Sequence, residues 1–296
     1  MISLGFVGLL LSNRGLMLNR SFVHLEGIGL STEKKLWSMG VASWDALSDF
    51  APSYFEGDRL MTVKRGLEAT YQAWEKKDLY YFYQGLPRPE LWRLVPEFLE
   101  EIAYLDIETN GLKLPPVSQS TTVTFCFQGQ LYQEHDPRLK KKLIEKMDAE
   151  SSLFCSFFGE VFDVPFLRKE FGLPLRKAHL DLCFWLKRLG FFGGLKKIEK
   201  EFPEVRRRES FDIEGLDAVR LWQLHLKGVP GALETLLTYN AEDTVVLETL
   251  LVKAYNLEVE KRPQLNLPLL DFRKPIAIST KVDIGVYERL KASRQG

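Results

Sequence analysis

The strongest constraint on this chain is a change of texture at residue 102. Ile102-Ala103-Tyr104-Leu105 is a short apolar, β-leaning run that passes directly into Asp106-Ile107-Glu108-Thr109-Asn110-Gly111. Carboxylates spaced i, i+2 at the end of a strand point to the same side. Two carboxylates so placed cannot both stay ionised cheaply unless a cation neutralises them. Hard oxygen ligands with no histidine nearby favour Mg²⁺ or Mn²⁺ over zinc. Spacing alone selects nothing, because Asp148/Glu150 and Asp212/Glu214 repeat it in polar surroundings that read as solvated helix or loop charges. Only the first copy follows an apolar strand and precedes a turn that exposes the strand end.

A second acidic segment, Tyr239-Asn240-Ala241-Glu242-Asp243, places a tyrosine and an aspartate at i, i+4 on one helical face, within reach of one metal-bound water. That spacing also recurs, at Tyr54/Asp58 and Tyr132/Asp136. What distinguishes Tyr239/Asp243 is the amphipathic helix around it (Leu233, Leu236, Leu237, Val246, Leu247, Leu250), which would bury one side of the pair.

Periodicity predicts an α/β domain from residue 102 onward. Thr121–Phe127 and Leu131–Tyr132 read as a hairpin around Gln128-Gly129-Gln130. Arg138–Ala149 reads as a charged helix, Leu153–Phe158 as a buried strand, Val164–Phe171 as a helix, Ala178–Leu182 as a short strand or turn, and Leu233–Tyr255 as the last long helix. Early strands followed by helices suit a mixed sheet. Ile276–Val286 reads as an added strand after a proline-spaced tail. Before residue 102 the pattern is helical. Ser31 or Thr32 is expected to cap a helix whose first turn holds Glu33, Ser43 to cap the next, and further helices to cover Met61–Trp74 and Pro89–Glu101.

In order along the chain, Asp106-Ile107-Glu108-Thr109, Phe162-Asp163-Val164-Pro165-Phe166-Leu167 and Tyr239-Asn240-Ala241-Glu242-Asp243 resemble the three motifs of the DEDD exonucleases, with the tyrosine of the DEDDy branch. Gly193-Gly194-Leu195-Lys196-Lys197-Ile198-Glu199 and Ala218-Val219-Arg220-Leu221-Trp222 are similar to segments of the prokaryotic YprB-type ribonuclease-H-like family. The resemblance covers about residues 20–255. It implies an α/β fold, a ribonuclease-H-like mixed sheet flanked by helices, and a metal-dependent nuclease, with 3′–5′ exonuclease action by two Mg²⁺ or Mn²⁺ ions on a single-stranded 3′ end of DNA or RNA. Asp106 would then bridge both ions, Glu108 and Asp243 would hold the nucleophile-side ion, Asp163 would serve the second, and Tyr239 would orient the attacking water. One departure stands out: the family's Asn-Gly pair before the second motif is Phe158-Gly159 here. That puts in doubt a polar contact near the substrate strand that the resemblance implies, though not the metal ligands.

Leu25-Glu26-Gly27-Ile28-Gly29 with Thr32-Glu33 and Leu36-Trp37 resembles a helix-hairpin-helix element, in which backbone N–H groups near Gly27 and Gly29 would meet a DNA phosphate. A turn that only packs the N-terminal helices is the equal alternative. Lys196 and Lys197 could likewise meet a phosphate, or be a solvated helix start. Either His179 or Asp181 could border the active site, but both read as core groups; Arg206–Arg208 read as an exposed patch, and Arg138, Lys140, Lys141 and Lys142 as a solvated helix face. The expected organisation is an extension at 1–19, a helical helix-hairpin-helix-like region at 20–98, a ribonuclease-H-like exonuclease domain at 99–258 and a C-terminal tail at 259–296.

Composition leaves these expectations standing. Lys plus Arg and Asp plus Glu each number 40, so no global basic bias argues for nucleic acid, and local features must carry that inference. Three separated cysteines without a C-x-x-C pair read as free thiols in a reducing, cytoplasmic setting. The apolar run from Leu4 to Leu11 is too short to span a bilayer and reads as a frayed extension, with Met17 as the natural start. No Walker or Rossmann glycine loop supports a small-molecule enzyme. The rival readings are a structure-specific endonuclease on the same fold, or a nucleic-acid-binding scaffold without catalysis.

Overall fold

Alternation along one strand decides the layering. In the computed structural model, which describes residues 17–205, 211, 213, 215–274 and 276–294, β1 runs over Ile102–Thr109. Ala103, Leu105 and Ile107 face one side and join Val123, Phe125 and Phe127 of β2 (Ser120–Phe127) in a buried apolar cluster. Leu143, Ile144 and Met147 of α6 (Pro137–Glu150) and Val164, Phe166 and Leu167 of α7 (Asp163–Phe171) close that side. Each buried aromatic or aliphatic side chain there contributes about 1.5–3 kcal/mol. The even-numbered residues, Tyr104, Asp106 and Glu108, face the opposite side, with Thr122, Thr124 and Cys126 beside them in register. The carboxylates therefore stand on the face that α6 and α7 do not cover.

The sheet is five-stranded, in the order β3-β2-β1-β4-β5, with β3 at Gln130–Glu134, β4 at Leu153–Ser156 and β5 at Ala178–Asp181. β1, β2 and β3 pair antiparallel; β1–β4 and β4–β5 pair parallel. This is the expected mixed sheet flanked by helices. β1 is longer than its apolar run, because ladder bonds to β2 continue through the two acidic residues until the register shifts between Glu108 and Thr109. Such an irregularity re-aims side chains at a strand end.

Helices α8 (Leu182–Leu189), α9 (Leu195–Glu199), α10 (Gly215–Leu226) and α11 (Ala232–Glu260) follow. Residues 276–283 are irregular, and α12 occupies Ile284–Ser293, so the expected strand over Ile276–Val286 does not form. Asp283 caps α12 by accepting the Val286 N–H at 2.9 Å, and Val286, Tyr287 and Leu290 bury one helical face. Lys140 corrects another expectation. It is buried, and its ammonium bonds the Ser120 carbonyl and hydroxyl; Arg138, Lys141 and Lys142 on the same helix are exposed. Arg206–Arg208, Asp212/Glu214 and residues 1–16 lie outside the described residues. Among those described, no helix is long and apolar enough to cross a membrane.

The described residues within 100–257 and 270–296 form one compact unit, and those within 1–99 and 258–269 the other. The latter holds α1 (Leu30–Ser38), α2 (Trp44–Tyr54), α3 (Gly57–Glu75), α4 (Leu79–Gly85) and α5 (Val95–Phe98). Ser43 caps α2 as expected, accepting the Ala46 N–H at 3.1 Å. α1 instead starts at Gly29, whose extended backbone makes it the capping residue and leaves Ser31 and Thr32 inside the helix. Pro89–Glu101 is not one helix: 3-10 turns over Arg88–Leu94 and Leu99–Glu101 flank the four-residue α5, as three prolines demand. Glu33 is fully buried. It accepts both ends of the Arg93 guanidinium at 2.8 and 2.9 Å and the Phe22 N–H at 2.6 Å.

His24 lies among Trp44, Tyr81 and Phe82, its Nε2 3.0 Å from the Thr70 hydroxyl. Burial, and then the Arg93 charge, push its pKa down to about 3. The unfolded chain therefore binds a proton there that the fold refuses. Stability is full above about pH 6.5 and falls by at most about 1.4 kcal/mol per pH unit toward pH 3. Urea titrations at stepped pH should show that slope, and His24→Phe should flatten it. An unchanged slope in the variant would assign the acid sensitivity elsewhere.

Candidate metal centre

The carboxylate oxygens of Asp106, Glu108 and Asp243 all lie within 4.8 Å of one another. β1 supplies two of them on one face by strand alternation, and α11 supplies the third. Asp163, the first residue of α7, stands beside this trio and is not part of it. Its Oδ1 accepts the Ile107 N–H at 3.1 Å, between the two strand carboxylates. Tyr239, one turn before Asp243, is buried by the apolar cluster of Ala232, Leu236, Val286 and Tyr287, and its hydroxyl hydrogen-bonds Asp243.

Electrostatics show which kind of ligand the centre suits. Burial first, then the charges of Asp163, Glu108 and Asp243, raise the Asp106 pKa well above the carboxylate range. Glu108 rises for the same reasons, burial ahead of Asp243 and Asp163, against a partial offset from Lys196. Burial raises Asp163 to about 7, although the Ile107 N–H opposes it. Burial and the neighbouring carboxylates also hold the Tyr239 hydroxyl firmly protonated. Crowded anions on an all-oxygen donor set fit a hard divalent cation.

Asn240 is the residue that sequence reasoning missed. Its Nδ2 donates to Asp106 Oδ2 at 2.6 Å, while its Oδ1 accepts the Thr122 hydroxyl at 2.8 Å and the Thr124 hydroxyl. A polar residue on the buried face of an apolar helix, opposite two strand threonines, was the available signal.

Lys196 belongs to the centre, with its ammonium 4.4 Å from the Tyr239 ring centroid, which removes the solvated-helix reading for it. Lys197, next to it, is exposed. His179 is buried, Nε2 2.7 Å from the Ser156 hydroxyl. Asp181 caps α8 and binds the turn before α7: its Oδ1 accepts the Phe158 N–H at 2.9 Å and its Oδ2 the Glu160 N–H at 3.1 Å. Gly159 in that turn lies against the acidic centre, where an added Cβ would come within 3.1 Å of Asp163 Cγ. Gly27 and Gly29 are in the other unit. Gly27 has φ +86°, and a Cβ on Gly29 would meet open space.

No curated protein matches the chain. Among solved structures, the family B DNA polymerase from the hyperthermophilic archaeon Pyrobaculum calidifontis is similar over 53% of this chain, at 16% identity and TM-score 0.41. The match covers 26% of that polymerase, so this chain spans about a quarter of its length. The sequence profile of the RNase_H superfamily matches residues 103–255, just over half of the 296, from β1 through most of α11 and so across every residue of the acidic centre; the chain belongs to that superfamily.

Proposed function

We propose that this chain is a metal-dependent nuclease of the DEDDy type, acting as a 3′–5′ exonuclease on a single-stranded end. The observation that carries the reading is the convergence of Asp106, Glu108 and Asp243, with Asp163 and Tyr239 beside them, in a superfamily member. Asp106, Glu108, Asp163 and Asp243 would hold two Mg²⁺ or Mn²⁺ ions. Bound there, the ions would supply a more acidic water and charge stabilisation at the phosphate.

The protein's own residues do the rest. The Tyr239 hydroxyl, protonated and held by Asp243, would orient a water for attack in line with the scissile P–O bond. Asn240 fixes the rotamer of Asp106 by donating to one oxygen, leaving the other lone pairs for a cation. Lys196 would stand over Tyr239 and offer positive charge to a phosphate oxygen, with Lys197 farther out.

End-labelled DNA and RNA strands, single and double, incubated with Mg²⁺, Mn²⁺ or EDTA, test the reading. A ladder growing from the 3′ end and abolished by EDTA is expected. Internal cuts would shift the assignment to an endonuclease, and intact strands under every condition would leave a binding scaffold.

In the N-terminal unit, the α1 start at Gly29 would offer its N–H groups to a backbone phosphate. Gly29 has an ordinary φ of −92° and room for a side chain, and aspartate is a good capping residue. Gly29→Asp should therefore keep or slightly raise the melting temperature while its charge weakens DNA binding severalfold. Unchanged affinity in a filter-binding titration would leave the turn as packing alone.

A further inference from the structure

Two exposed phenylalanines meet beside the acidic centre. Phe158 and Phe184 are 44% and 46% exposed, with ring centroids 5.9 Å apart and planes at 46°. Neither exposure helps the fold, since both rings would be more stable buried. Phe158 is also held at φ +66°, the left-handed region that crowds a bulky side chain and that asparagine or glycine occupies more readily. A strained backbone that leaves an apolar ring nearly half exposed is a cost only partly offset by packing on Phe184, and such positions cluster at binding sites.

The surrounding structure fixes the pair. One carboxylate, Asp181, binds the Phe158 and Glu160 N–H groups and also the Cys183 N–H at 3.0 Å, next to Phe184 at the start of α8. The Phe158 carbonyl accepts the Phe162 N–H at 3.1 Å, tying the turn to α7 just before Asp163. Gly159 completes the link, because only a missing side chain lets the turn lie against Ser156 and Asp163. The rings are thus registered to each other and to the carboxylates through a few covalent and hydrogen bonds.

We propose that Phe158 and Phe184 form a stacking platform for an unpaired nucleobase of the strand whose phosphate sits at the carboxylates. The proposal rests on the nuclease reading above. A phenyl ring offers a π-face and no hydrogen-bonding group, so it accepts every base and reads no sequence. A base must leave its duplex neighbours to lie on it, which favours single strands.

The test is a binding titration of the full chain with fluorescein-labelled single strands, read by anisotropy, with Ca²⁺ replacing Mg²⁺ to separate binding from cleavage. One strand is fully based, and its twin carries abasic sites at the 3′-terminal positions. Wild type should bind the abasic strand about tenfold more weakly, the size expected for loss of base–aromatic stacking. Phe158→Asn, whose side chain suits φ +66°, should melt no lower than wild type, bind the based strand about tenfold more weakly and no longer distinguish the two. Phe158→Trp should keep the discrimination. Equal binding of both strands by wild type, or wild-type affinity in Phe158→Asn, overturns the platform and leaves the nuclease reading intact. A wild type that binds neither strand overturns both.

Discussion

Replacing Asp106 with asparagine is expected to reduce metal-dependent cleavage by about a thousandfold or more, while raising the melting temperature of the ion-free protein. The activity loss follows from removing one of the carboxylates that would hold the cations, whose charge is worth several kcal/mol to the transition state. The stability gain has the opposite origin. Asp106 is buried among Asp163, Glu108 and Asp243, and its pKa is raised in the fold. A carboxylate whose folded pKa exceeds its unfolded one contributes no penalty at about pH 4, and the fold loses stability as pH rises through the higher value. An amide at 106 escapes that loss. The gap between variant and wild type in EDTA should therefore widen from pH 4 to pH 8. Added Mg²⁺ should reverse it, because a ligand of the folded state alone stabilises wild type by mass action and finds a poorer site in the variant. Thermal melts across pH, with and without Mg²⁺, run beside the cleavage assay. Full activity in Asp106→Asn would remove it from the site, and a lower ion-free melting temperature would contradict the crowding of charge.

Three of the four candidate carboxylates are legible locally, and Asp163 enters only through the resemblance. Asp106 and Glu108 share a face by strand alternation, and Tyr239 and Asp243 by helical period, both of which a sequence displays directly. The strand ladder and the long helix α11 were legible for the same reason. What stayed hidden depends on register between distant segments. Asn240 reaches Asp106 and Thr124 only because those two pair across β1 and β2, 116 or more positions away along the chain. Lys140 looks like any surface lysine in a charged helix until β2 presents the Ser120 carbonyl beneath it. Glu33 reads as a favourable first-turn charge, yet its partner Arg93 lies 60 residues away. The Phe158 departure looked like a lost polar contact. The same position is also a left-handed turn, at φ +66°, which asparagine occupies more readily than phenylalanine.

Asn240→Asp should cost about 10–100-fold in divalent-ion affinity and cleavage, the usual scale for a group that orients a ligand. The hydrogen-bond chain fixes which way the amide points. Gln133 Nε2 donates to the Thr124 hydroxyl at 2.7 Å and to the Leu237 carbonyl at 2.9 Å, so that hydroxyl turns its own proton to Asn240 Oδ1. Thr122 donates to the same oxygen, and the NH₂ group must face Asp106. Aspartate is the same shape and still accepts from both threonines, but it sets an oxygen 2.6 Å from Asp106 Oδ2 where a donor stood. With a proton on the new carboxyl, the variant reproduces the amide's donated bond. Without it, two anions repel and the Asp106 rotamer is released. The ratio of wild-type to variant cleavage should therefore grow as pH rises, whereas a simple packing defect would give a ratio independent of pH. Calorimetric Mg²⁺ titrations and cleavage rates at stepped pH read both quantities. A flat ratio, or wild-type ion affinity in the variant, would show that Asp106 holds its geometry without Asn240.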